Sequence, residues 1–217
     1  MLGTTPLRQQ IDRDVFDYQQ LVACLSQFSK PRDKIRRLLA TGEIVRIRKG
    51  LYAFGEPLRR TPISRELLAN LIYGPSYISL DYALSYHGLI PERVEMVTSV
   101  TLGRSRTFTT PFGIFSYRRL NQSRYAVGGV IEKNGDLSFL IASPEKALAD
   151  KVWADKRFDG TRLLSYGSYL LDDLRLEPAR LAGFDSDRLD AIAKAYDSRK
   201  LYRLMRYLQI LREQSHA

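Results

Sequence analysis

Apolar residues recur at every third or fourth position from about residue 18 to residue 39, and then switch to strict alternation. That switch marks the point where helices give way to a hairpin. Asp17 can cap a helix carrying Tyr18, Leu21, Val22, Leu25 and Phe28 on one face. Ser29, Lys30 and Pro31 break this pattern and restart it, proline being suited to a first helical turn. The next helix, residues 31–41, has Ile35, Leu38 and Leu39 at i, i+3 and i+4, an inward stripe. At about 100° per residue, Lys30, Asp33 and Arg37 point the opposite way, with Lys34 and Arg36 on the flanks. Gly42 ends the helix, as a left-handed cap requires. Residues 43–48 then alternate, with Val45 and Ile47 on one side and Arg46 and Arg48 on the other. Lys49 and Gly50 form a turn, and residues 51–54 return as a strand. With a supporting helix over residues 5–15, this is the order of a winged helix-turn-helix occupying residues 1–56.

Glu56 to Pro62 reads as a linker, and beyond it the pattern becomes mixed. Helices are predicted over residues 64–72 and 79–87. Strands are predicted over 94–102, 107–109, 113–117, 125–132 and 137–141, with a hairpin turn at 133–136. Ser143 and Pro144 start another helix, with Ala147, Leu148 and Val152 on its inner face. Everything after Gly160 reads as helical. The last helix repeats Leu201, Leu204, Met205, Leu208 and Leu211 inward, with Arg199, Arg203 and Arg206 outward. The fold class expected is α+β: the winged helix followed by a mixed α/β domain, residues 62–217, ending in a helical tail.

Charge changes the picture more than composition does. The 217 residues carry a formal net charge of +10. Residues 30–50 alone hold eight basic residues against Asp33 and Glu43, a net +6. A basic helix followed by a basic hairpin suits double-stranded DNA, because a helix fits the major groove and reads base edges there. Arg36 and Arg37 are candidates for guanine edges or phosphates, Lys30 and Lys34 suit phosphates, and Arg32 is a further candidate DNA contact. Asp33 either accepts a hydrogen bond from a cytosine amino group or serves the helix N-terminus. Arg46, Arg48 and Lys49 would lie along the backbone or minor groove. A solvated helical subdomain is the plainer alternative.

Other chemistry finds little support. Cys24 is the one cysteine, so an internal disulfide is impossible, and His87 and His216 are too few for a zinc cluster. The first ten residues lack the features of a secretory leader, and no apolar run approaches a membrane span, so a cytoplasmic protein without membrane contact is expected. Gly74, Pro75, Ser76 and Asp81 faintly match a nucleotidyltransferase arrangement. Ala83 stands where that chemistry needs a second carboxylate. No enzyme, cofactor or metal is expected. A nuclease built from scattered carboxylates remains the enzymatic alternative.

Four stretches together resemble the AbiEi antitoxins of bacterial abortive-infection toxin–antitoxin systems. They are Arg46 to Ala53 (RIRKGLYA), Tyr73 to Leu84 (YGPSYISLDYAL), His87 to Glu92 (HGLIPE) and Ser143 to Asp150 (SPEKALAD). The resemblance runs from about Asp17 to Trp153 and implies a winged-helix repressor that binds inverted repeats upstream of its own operon. It also implies that a C-terminal domain neutralises a cognate nucleotidyltransferase-like toxin without stable binding. A protein-binding antitoxin that contacts such a toxin directly is the alternative. One winged helix reads few base pairs, so two copies on the DNA are expected, from a monomer or a homodimer. Tyr73, Tyr77, Tyr82, Tyr86 and His87 are either a partner surface or core tyrosines with satisfied tips beside a helix-end histidine. Arg199, Arg203 and Arg206 are either a second contact surface or a solvated helix face.

Overall fold

The computed structural model describes residues 5–215. His216 lies outside them. The chain is α+β, with a winged helix-turn-helix at its N-terminal end, a larger mixed sheet, and helices at the C-terminal end. Among the described residues no helix is long and apolar enough to cross a membrane.

The winged helix-turn-helix is built from α1 (Thr5–Gln10), β1 (Val15–Asp17), α2 (Tyr18–Cys24), α3 (Pro31–Ala40), β2 (Ile44–Arg48) and β3 (Leu51–Phe54). The expected helix over residues 5–15 is therefore shorter. Residues 15–17 are extended because they pair antiparallel with β3, Val15 opposite Ala53 and Asp17 opposite Leu51. Ladder hydrogen bonds and the burial of Phe16 outweigh any local helical preference. Asp17 caps α2 as expected, in a reciprocal capping box with Gln20. That helix stops at Cys24, and Tyr18 and Phe28 are exposed rather than on its inner face. Leu38, only 1% exposed, anchors α3; burying such a side chain contributes about 2 kcal/mol.

The larger sheet has six strands in the order β6-β7-β5-β4-β9-β8. They are β4 (Ser76–Ile78), β5 (Val97–Thr101), β6 (Arg106–Thr110), β7 (Gly113–Arg119), β8 (Gly129–Asn134) and β9 (Leu137–Ala142). The pairs β4·β9 and β5·β7 are parallel and the others antiparallel. The short β4 was not expected, and residues 125–128 precede β8 rather than form it. A single turn, α6 (Gln122–Tyr125), occupies part of that stretch. Helices α4 (Arg65–Ile72), α5 (Leu80–Tyr86) and α7 (Pro144–Ala154) pack on the sheet, with Ser64 and Ser143 as their expected caps at α4 and α7. The tail consists of α8 (Ser165–Gly167), a wide turn at Ser168–Asp173, α9 (Pro178–Ala182), α10 (Ser186–Tyr196) and α11 (Arg199–Ser215).

Helix α7 departs from a simple amphipathic pattern, since Glu145, Lys146 and Asp150 are buried along with its apolar residues. Lys146 is completely inaccessible. Its Nζ donates to Asp150 at 2.6 Å and to the Tyr196 hydroxyl, and Ser79 donates to the other Asp150 oxygen at 2.5 Å. The SPEKALAD stretch is thereby tied to the YISLDYAL stretch and to α10. Burial pulls the Lys146 ammonium down from its ordinary value, and Asp150 pulls it back. The same network anchors Ser79 beside Leu80, whose φ of 61° is the left-handed region and a strain for a leucine.

Lys146→Met should cost about 3–5 kcal/mol, because it leaves the Asp150 charge buried without its cation. Adding Asp150→Leu should recover part of that loss. Urea denaturation measures both; a loss below about 1 kcal/mol for the single variant would show that the pair is not holding the fold.

Candidate nucleic-acid interface

Pro31 occupies the first turn of α3, and Ile35 and Leu38 turn inward. This leaves Arg32, Asp33, Arg36 and Arg37 exposed on the outward side, with Lys30 exposed just before them. Lys34 is half-buried and holds its ammonium 5.5 Å from the centre of the Phe28 ring, so that exposed ring serves as a cation platform. No side chain caps α3 by a hydrogen bond. Asp33 sits in its first turn, where the helix dipole favours a negative charge. Among the described residues, none of the eight cations of residues 30–50 takes part in an ion pair.

The hairpin follows on the same unit. Arg46 lies opposite Tyr52 and Arg48 opposite Leu51, so Ile47 is an extra residue that bulges the strand. Gly50 turns the chain with φ of 87°, a conformation that other residues adopt only under strain. Arg46 and Arg48 are exposed, as the alternation predicts, and so is Lys49 in the turn. The bulge has a further effect. Ile47 and Leu51 join the apolar core of the larger sheet, so the tip of the hairpin leans on that sheet. Burial holds the Tyr117 hydroxyl well above the ordinary tyrosine range, and Arg48 is close enough for its charge to oppose this.

The larger sheet carries exposed basic residues of its own around Tyr117, which pattern reasoning missed. Arg106 lies opposite Tyr117 across β6 and β7, its guanidinium 5.8 Å from the Tyr73 ring centre. Arg104, Arg106 and Arg119 are exposed. A signal was present in the chain: residues 96–131 contain five arginines and no acidic residue.

The candidate partner tyrosines are not gathered into one surface. Tyr73 packs edge-on against Tyr117 and tilted against Phe108. Tyr77 is buried, donating to the Tyr125 carbonyl, and burial pushes its hydroxyl far above the usual range. Tyr82 donates to Glu66 at 2.5 Å. His87 caps the end of α5 and hydrogen-bonds the Ala142 carbonyl through Nε2 at 2.8 Å. Tyr86 alone of these tyrosines is exposed. Asp81 is paired with Lys151 at 2.6 Å. In the tail, Arg199 and Arg206 face outward, but Arg203 is half-buried and donates to the Gly160 carbonyl. The helical repeat cannot reveal that the preceding loop folds back over this position.

The base of the wing is held by a close backbone approach. Gly55 donates its N–H to the Glu43 carbonyl at 2.9 Å, and a Cβ on Gly55 would overlap the Gly42 carbonyl oxygen. Gly55→Ala should therefore displace the end of α3 from β3 and destabilise the protein by about 1–3 kcal/mol. Thermal unfolding tests this, and an unchanged midpoint would mean that the two segments are free to part.

Residues 9–55 match the family model described as transcriptional regulator, AbiEi antitoxin. The match spans the unit from the end of α1 through β3. No curated protein matches the chain.

Proposed function

We propose that this chain, whose residues 9–55 match the AbiEi antitoxin transcriptional regulators, is a sequence-specific DNA-binding repressor that autoregulates its own operon as the antitoxin of an AbiE-type system. The observation that supports this reading is the group of cations on α3 and the adjoining hairpin, all but Lys34 exposed and none in an ion pair among the described residues. Cations left without carboxylate partners keep their full attraction for phosphates and release counterions on binding.

In this reading α3 enters the major groove. Arg36 and Arg37 reach base edges, and Arg32, Lys30 and Lys34 hold phosphates beside them. Arg46, Arg48 and Lys49 follow the adjacent backbone. Residues 1–56 act as the DNA-binding unit. Residues 62–217 form a second unit that acts on a cognate nucleotidyltransferase-like toxin without catalysing a reaction. Two copies occupy an inverted repeat, each reading one half-site. Repression follows from occupancy of the promoter.

Binding to the chain's own upstream DNA, compared with scrambled DNA across a salt series, tests this reading. Selective binding with a steep salt dependence is expected, and equal weak binding to both DNAs would overturn it. Arg36→Ala with Arg37→Ala should cost about 1–3 kcal/mol for each base edge that is no longer read, and should relax specificity. By comparison, replacing Arg46, Arg48 and Lys49 by alanine should weaken binding to all sequences alike. The salt slope should fall by roughly 0.9 for each phosphate that is no longer neutralised.

A further inference from the structure

The winged helix-turn-helix and the larger sheet do not close completely on each other. Between them lies a cleft of about 440 Å³. One wall is the α1–β1 connection with the linker, including Arg8, Asp14, Arg60 and Thr61. The other is α4 and the β8–β9 turn, where Leu67, Leu71 and Leu137 face the space together with Ile63. Leu71 is 42% exposed on this wall. An apolar wall left facing water at a junction of two units is a usual setting for a small ligand.

The polar side of the cleft selects for charge. Arg8 is 8% exposed and lines the cleft. Its Nη1 donates to the Ile11 and Arg13 carbonyls, and its Nη2 lies 3.1 Å from Asp14. Its Nε is buried with no hydrogen-bond partner among the described residues. The guanidinium also stacks on the buried Phe54 ring, 4.6 Å from its centre, so Arg8 is committed to the wall and lends the cleft its charge rather than a free donor. Arg13 and Arg60, both exposed and in no ion pair among the described residues, border the same space. Asp14 offers little repulsion. It faces Arg8 and also accepts from the Arg60 N–H, the Thr61 N–H and the Thr61 hydroxyl. Asp12 and Asp136 are the remaining carboxylates, both exposed.

We infer that this cleft binds a small organic acid with an apolar body, the carboxylate towards the arginine side and the body against Leu67, Leu71 and Leu137. Because the two walls belong to different units joined by the linker that Asp14 holds at Thr61, occupancy would bias how the DNA-binding unit is held. The regulatory part of this inference rests on the DNA-binding reading; the site itself does not.

The test is a nuclear magnetic resonance titration of the full chain with phenylacetate. Phenylethanol controls for the apolar body and acetate for the charge and ionic strength. Saturable amide shifts at Ile63, Leu67 and Leu137 are expected with phenylacetate, with affinity about tenfold weaker for either control. Leu71→Trp, which fills the open side without touching the core, should abolish the shifts, and Asp136→Asn should tighten binding. Absence of saturable shifts at these residues, or equal binding of phenylethanol, would overturn the site. Operator affinity measured with phenylacetate against equal acetate should change by about threefold or more. An unchanged operator affinity alongside saturable cleft shifts would overturn only the regulatory role. Failure to bind operator without any probe would instead count against the DNA-binding reading.

Discussion

Strand β3 is buried on both faces, and the rest of the molecule is arranged around that constraint. Tyr52 and Phe54 point into the core of the winged helix, against residues such as Phe16, Leu38 and Ile44. Leu51 and Ala53 point the other way, into the core of the six-stranded sheet. A strand alternates its side chains between faces, so four consecutive apolar residues serve two cores at once. The register of β3 with β1 and β2 is thereby fixed from both sides, since a slip by one residue would exchange the two sets. The wing packs on the sheet through this strand, and α3, tied to the base of the hairpin at Gly42 and Gly55, takes its orientation from it.

The cations divide into two populations according to what surrounds them. In the larger part many are consumed by structure. Arg124 donates to the Tyr196 carbonyl and stacks on Trp153, Lys200 donates to the Asp155 carbonyl, and Arg212 donates to the Ala182 carbonyl. On α3 and the hairpin the cations form no ion pair among the described residues, and all but Lys34 are exposed. A net charge of +10 is therefore not spread evenly in its effect. It is the concentration of uncommitted charge on one helix and one hairpin that favours a polyanion as partner.

The stretches that carry the family resemblance outside the winged helix have a structural explanation. Ser79, Lys146, Asp150 and Tyr196 form a buried network, in which each polar group finds a partner that water would otherwise supply. Chemistry-bearing residue types at these positions are sealed from substrate. The tyrosines of the 73–92 stretch follow the same logic, since most of their hydroxyls end on a carbonyl, a carboxylate or an aromatic cluster inside the fold.

The local elements of the winged helix were legible in the chain alone. The inward stripe of Ile35 and Leu38, the proline opening α3, the Asp17 cap and the alternation of residues 44–48 are all short-range patterns, and short-range sterics and burial enforce them. The outward placement of Arg36, Arg37, Arg46 and Arg48 follows from the same periodicities. Packing settled what depends on distant partners. Residues 15–17 became a strand because β3 offered a ladder, and Ile47 turned into the second core because a bulge released it. Arg203 turned to the Gly160 carbonyl, and Arg106 came to lie over the Tyr73 ring, because the chain brought together residues tens of positions apart. Periodicity records which face of an element is apolar, but not which other element will cover it, and that choice is made only when the whole chain packs.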